Sequence, residues 1–107
     1  MMLARVQGHV VASQKDAQIV GTKLLVVEPL KVVFGEGGGG TYEPTGRALV
    51  AVDRIGAGEG QLVLLVQGSS ARMVDGCSKM PVDTVVVGLI DEAVVAGGTV
   101  DPASLNR

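Results

Sequence analysis

The chain has 107 residues, enough for one domain with a single core and too few for two. A formal net charge of −2 and only two aromatics, Phe34 and Tyr42, argue against a nucleic-acid partner, which needs a basic surface and stacking platforms. No stretch approaches the roughly 18 apolar residues of a membrane span, and the single cysteine, Cys77, leaves no internal disulfide to form.

The N-terminal stretch "MMLARVQGHVVAS" carries Arg5 as its only charge and a polar residue every second or third position. It lacks the continuous apolar segment of a signal peptide, so a cytosolic location is expected, in line with one unpaired cysteine. Within it "LARVQGHVVAS" alternates, with Ala4, Val6, Val10 and Ala12 on one face and Arg5, Gln7 and His9 on the other. This is the first predicted strand. The second is "KLLVVEP", Lys23 to Pro29, expected to end where proline interrupts the ladder. Residues 30–46 follow as a glycine-rich loop or hairpin tip. Four consecutive glycines, Gly37 to Gly40, do not hold one backbone conformation cheaply. The third strand is "RALVAVDRI", Arg47 to Ile55, the fourth "QLVLLVQ", Gln61 to Gln67, and the fifth "TVVVGLID", Thr84 to Asp91. Between the fourth and fifth, "GSSARMVDGCSKMPVD" has room for one short helix, capped by Ser69 or Ser70 and stopped at Gly76. Residues 93–107 are expected as a C-terminal tail outside a barrel domain of residues 1–92.

Five β-branched strands and one short helix predict an all-β fold, a small closed or partly closed barrel, OB-like in outline. The apolar set together with 16 glycines makes up roughly 60% of the chain, against about 45–50% in ordinary soluble domains. Strands three and four are apolar on both faces: Ala48, Val50 and Val52 against Leu49 and Ala51, then Leu62, Leu64 and Val66 against Val63 and Leu65. A lone barrel wets its outer face, so walls apolar on both sides need cover on both sides. In a chain this small, other copies of itself are the expected cover.

"AVDRIGAGEGQLVLLVQGSSAR" invites a phosphate-loop reading through Gly56, Gly58 and Gly60. The dinucleotide fingerprint fails, because its last glycine is replaced by Gln61 and a strand rather than a helix follows. No Gly-Lys-Ser/Thr follows either, so the glycines read as a strand-to-strand turn with Glu59 exposed. His9 lacks a companion histidine and Cys77 a second cysteine, whereas zinc needs three or four ligands, so no metal and no cofactor are expected. Ser69 and Ser70 with His9 and Asp53 are no triad, since "GSSAR" is not the Gly-x-Ser-x-Gly elbow. Asp53 and Asp91 end strands, as capping or solvated aspartates do. Arg72 has three readings: a salt bridge to Asp53 or Glu59 of a neighbouring copy, an anion held with a helix N-terminus, or plain solvent exposure.

The run "LARVQGHVVASQK", "GTKLLVVEPL", "AVDRIGAGEGQLVLLVQGSSAR" and "KMPVDTVVVGLID", in this order, resembles the EutN/CcmL family of pentameric bacterial microcompartment vertex proteins. The resemblance covers nearly the whole chain but not the four glycines or the tail after Glu92. It implies a five-stranded barrel in a homopentamer that caps the corners of an icosahedral shell in the bacterial cytoplasm, beside hexameric and trimeric shell proteins. It implies a structural role with no catalytic residue, no nucleic acid and no membrane. The matched motifs place the subunit interface at Asp53, Ile55, Gly56, Gly58, Gly60, Ser69, Ser70, Ala71 and Arg72, with Pro81, Val82 and Asp83. The alternative is an OB-fold-like binding module for nucleic acid or a small ligand.

Overall fold

A computed structural model describes residues 1–11, 23–35, 40–68, 71, 74, 83–91, 93–95 and 98–100. The valine- and leucine-rich runs form strands β1 (Met2–Val10), β2 (Lys23–Phe34), β3 (Gly40–Pro44), β4 (Leu49–Asp53), β5 (Leu62–Gln67), β6 (Thr84–Leu89), β7 (Ala93–Val95) and β8 (Gly98–Val100). β1, β5, β6, β4 and β2 pair in that order, and β1 pairs with β2 to close the barrel. All these pairings are antiparallel except β4–β6, which is parallel and only two residue pairs long, Val52↔Val85 and Asp53↔Val86. This is the OB-like barrel expected, with β1, β2, β4, β5 and β6 as its five strands.

The barrel interior holds Ala4, Val6, Leu25, Val27, Ala51, Val63, Leu65 and Val86, and Ala57 joins them from the connection between β4 and β5. A second cluster lies on the other face of the wall. There Val52 and Val85 pack with Ala71, flanked by Leu24, Val66, Val74 and Val87. Part of the second apolar face is thus covered by the protomer itself, a correction to the expectation that other copies supply all of that cover. The physical reason is the β5–β6 connection, which returns across the outside of the wall at Ala71 and Val74. A third cluster joins Leu62 to Leu30, Tyr42 and Ile90.

Several local expectations change. β2 does not stop at Pro29 but runs to Phe34. Proline is tolerated because β2 changes partner there, leaving β4 after Val27↔Leu49 and meeting β3 from Leu30↔Pro44, so neither ladder calls on its missing N–H. Its carbonyl accepts both the Thr45 N–H at 3.2 Å and the Thr45 Oγ1 hydroxyl at 2.7 Å. Residues 30–34 and 40–44, within the expected loop, are therefore the two strands of a hairpin arm. Simple alternation in β1 also fails. The register slips between Val6 and Gly8, a bulge at Gln7, and Arg5 is buried at 4% exposure rather than wet. The expected helix at Ser69 to Gly76 lies largely outside the described residues. Among those described there is one i→i+3 bond, Val74 N–H to the Ala71 carbonyl at 3.4 Å, and no α-helix. Within the expected tail, β7 and β8 pair as a second small sheet. No helix among the described residues is long and apolar enough to cross a membrane.

Candidate subunit interface

The glycine stretch leaves β4 at Asp53, whose side chain is almost wholly buried. Its Oδ1 accepts the N–H groups of Ile55 and Gly56, both at 3.1 Å, which bends the chain out of the strand. Lys23, the register partner of Asp53 on β2, places Nζ 3.6 Å from Oδ2 and donates to the Ala57 carbonyl at 2.9 Å. The turn is thereby tied to β2 while Ala57 is pushed into the barrel, with no exposure. Further on, Gly58 N–H donates to Gln61 Oε1 at 2.7 Å, and Gly60 N–H donates to the Val6 carbonyl at 2.8 Å. Val6 N–H returns a bond to the Gln61 carbonyl at 3.0 Å, and the Arg5 guanidinium donates to the Gly60 carbonyl. Burial pushes the Arg5 guanidinium below its ordinary value, but arginine stays charged in proteins, so its carbonyl contact offsets part of the desolvation.

This geometry answers the phosphate question. The N–H groups of Gly56, Gly58 and Gly60 are spent on Asp53, Gln61 and Val6, and β5 rather than a helix follows. None of these three glycine N–H groups is left to hold an anion. Two of its glycines are needed by the protomer itself: Gly56 at φ 84° and Gly60 at φ 83° occupy the left-handed region. Gly58 is different. It carries no positive φ, and a Cβ there would meet only Gln61 Oε1 at 3.7 Å, an ordinary contact.

The expected contact residues divide by accessibility. Ile55, Gly56 and Gly60 are exposed, Gly58 is half-buried, and Asp83 is exposed while its carbonyl accepts the Gly68 N–H at 2.8 Å. Asp53 and Ala71 are buried inside their own protomer. Ser69, Ser70, Arg72, Pro81 and Val82 lie outside the described residues. Beside Ile55 is a groove lined by Arg54, Val74, Val86 and Val87. The outer wall also carries Val50 at 51% and Leu89 at 44% exposure. His9 pairs with Glu59, Nδ1 to Oε1 at 3.4 Å, where both side chains are largely exposed. Among the described residues no three His, Cys, Asp or Glu side chains come together as metal ligands. The roles of Lys23, Arg5 and Gln61 were missed from sequence. Lys23 and Arg5 lie 30 or more residues from the carbonyls they hold, so no local pattern marks them.

Comparison with known proteins bears on what this surface does. Residues 1–91 match the family described as ethanolamine utilisation protein EutN/carboxysome. The chain is similar to the bacterial microcompartment shell vertex protein EutN of Salmonella typhimurium, 44% identical over 100 residues, covering 94% of this chain and 92% of that one. It is 42% identical over 95 residues to the carboxysome shell vertex protein CcmL of Gloeobacter violaceus, covering 89% of this chain and 87% of that protein. The solved CcmL structure superposes with a TM-score of 0.76 at 40% identity, covering 92% of this chain and 94% of that one. The pentameric microcompartment shell protein GrpN of Rhodospirillum rubrum superposes with a TM-score of 0.66 at 38% identity, covering 85% of this chain and 93% of that one. With barrel, glycine turn and sequence in agreement over nearly its whole length, the chain belongs to the EutN/CcmL family.

Proposed function

We infer that the chain is a structural shell protein, five copies of which close into a ring that caps a vertex of a bacterial microcompartment, carboxysome or metabolosome, in the bacterial cytoplasm. The observation that carries this reading is the family match over residues 1–91, which takes in every barrel strand and the whole glycine turn. A closed polyhedral shell of hexagonal tiles needs pentagons at its corners, and a ring of five is built from heterologous contacts, one patch meeting a different patch on the next copy. The exposed Ile55, Val50 and Leu89 supply apolar surface for such contacts. Asp53 and Ala71 act from inside the protomer, by shaping the turn and the wall. Ile55, Gly56, Gly58, Gly60 and Asp83 are the described residues that reach a neighbour in this reading, with Ser69, Ser70, Arg72, Pro81 and Val82 assigned to the same contact by motif. Residues 1–92 form the vertex domain and 93–107 a C-terminal segment beyond it.

The ring's partners are the hexameric and trimeric shell proteins that tile the facets, and its role is mechanical rather than catalytic. A nucleic-acid or small-ligand module has no observation in its favour. The charge is negative, and the N–H groups of Gly56, Gly58 and Gly60 are already engaged. The test is solution mass by native mass spectrometry and mass photometry. Chains of 10.9 kDa are expected to run as five copies, and a monomer at micromolar concentration overturns the reading.

A further inference from the structure

The glycine turn between β4 and β5 carries exposed residues that the ring reading gives to a neighbour, yet it is not a free loop. Ile55 and Gly56 are exposed, Ala57 is fully buried, and Gly58 is half-buried again. The turn thus dips into the barrel core at one residue and comes back out. Its far end is stitched to β1, through Gly60 N–H to the Val6 carbonyl and Val6 N–H to the Gln61 carbonyl. Its near end hangs on Asp53, whose Oδ1 accepts the N–H groups of Ile55 and Gly56. Between these ends Lys23 reaches in from β2, its Nζ donating to the Ala57 carbonyl at 2.9 Å.

Lys23 also meets the buried charge at the near end. The Asp53 side chain is 1% exposed, and its Oδ2 accepts no hydrogen bond. Lys23 Nζ lies 3.6 Å from that oxygen, while the lysine side chain itself is 53% exposed. The register explains the meeting, since Lys23 opens β2 directly opposite Asp53, the last residue of β4. One ammonium therefore offsets the burial of a carboxylate on one side and fixes the backbone of Ala57 on the other. Hydrogen bonds from charged donors are the stronger kind, and a buried carboxylate stripped of its cation is strongly destabilised. His9 makes a useful contrast. It meets Glu59 of the same turn at 3.4 Å, but both side chains are largely exposed, and such pairs contribute little.

We propose that Lys23 is a positioning residue for assembly: through Asp53 and the Ala57 carbonyl it holds Ile55 to Gly58 in the shape that the next copy meets, without itself touching that copy. The inference rests on the ring reading above and deepens it, by naming the residue that sets the shape of the turn.

Lys23→Met keeps the apolar stem and removes the ammonium. Solution mass on dilution is measured by mass photometry for the unaltered protein and the variant. Hydrogen exchange is then read peptide by peptide, with both proteins in the same oligomeric state. The expected result is exchange faster by about fivefold or more across residues 54–59, with β1 and β5 little changed. The variant's pentamers are expected to come apart at a correspondingly higher concentration, and Lys23→Arg, which keeps a charged donor, to restore part of both readouts. A dilution curve that Lys23→Met leaves unaltered overturns the positioning role and leaves the ring reading standing. A weakened ring with unchanged exchange in the turn also overturns it, since Lys23 is then a direct contact. Exchange that rises equally in every strand overturns it too, making Lys23 a general support of the barrel. An unaltered protein that runs as a monomer overturns both readings. If Lys23→Met does not fold, it is combined with Asp53→Asn, which leaves no charge buried alone, and the same results are expected.

Discussion

At the scale of single residues, Asp53 and the glycines after it do different jobs within one turn. Asp53→Ala removes the acceptor of two backbone donors and leaves Lys23 with only the Ala57 carbonyl. The expected loss is about 1–3 kcal/mol of stability, read as a lower urea midpoint at fixed protein concentration. Gly56 and Gly60 sit at positive φ, so alanine at either should cost about 1–2 kcal/mol through backbone strain alone. Gly58→Ala carries no such penalty in the protomer, where its Cβ finds an ordinary contact. Gly58→Leu is therefore the sharper probe of the turn as a contact between copies. The expected outcome is a folded protein with fewer pentamers on dilution, and an unchanged dilution curve by mass photometry removes Gly58 from the interface. The three glycines were visible in the sequence as a turn. Which of them the backbone itself requires was not, because φ at each depends on how Asp53, Lys23 and Val6 fasten the loop.

At the scale of elements, the barrel wall is sandwiched. Leu25, Val63 and Leu65 fill the interior, while Val52 and Val85 face the layer of Ala71 and Val74. Leu25→Ala leaves a cavity in a fully buried site and should cost about 2–5 kcal/mol. Val74→Ser, on a half-buried outer layer, should cost less. If equilibrium unfolding ranked the two the other way, the assignment of interior and outer layer would be wrong. The strands of the barrel were legible because β-branched runs bounded by Gly, Pro and Asp specify extended chain locally. The arm was not, because Pro29 reads as a stop in sequence and becomes harmless only when the partner strand changes at that residue. Arg5 was misplaced for a similar reason. Arg5 keeps the face opposite Ala4 and Val6, ahead of the bulge at Gln7, but the glycine turn covers it there, and the Gly60 carbonyl that receives the guanidinium is 55 residues away.

At the scale of the whole molecule, a ring links stability to concentration. Binding that favours the folded state raises its apparent stability by mass action, so the unfolding midpoint should climb with protein concentration. A midpoint that stays flat over a hundredfold range of protein concentration speaks for a free-standing barrel. The sequence alone determined the fold class, the five barrel strands and the family, because period-two apolar patterning and the order of the glycine, serine and proline motifs are local properties of the chain. The same patterning set an excess of apolar side chains and so the expectation of partners. Only the tertiary structure decided which side of the wall each valine faces, how much of the outer face the chain covers for itself, and that β2 runs past the barrel into an arm on which Phe34 is exposed. Those are questions of register and of contact between distant segments, and a one-residue slip in register is enough to exchange inside for outside.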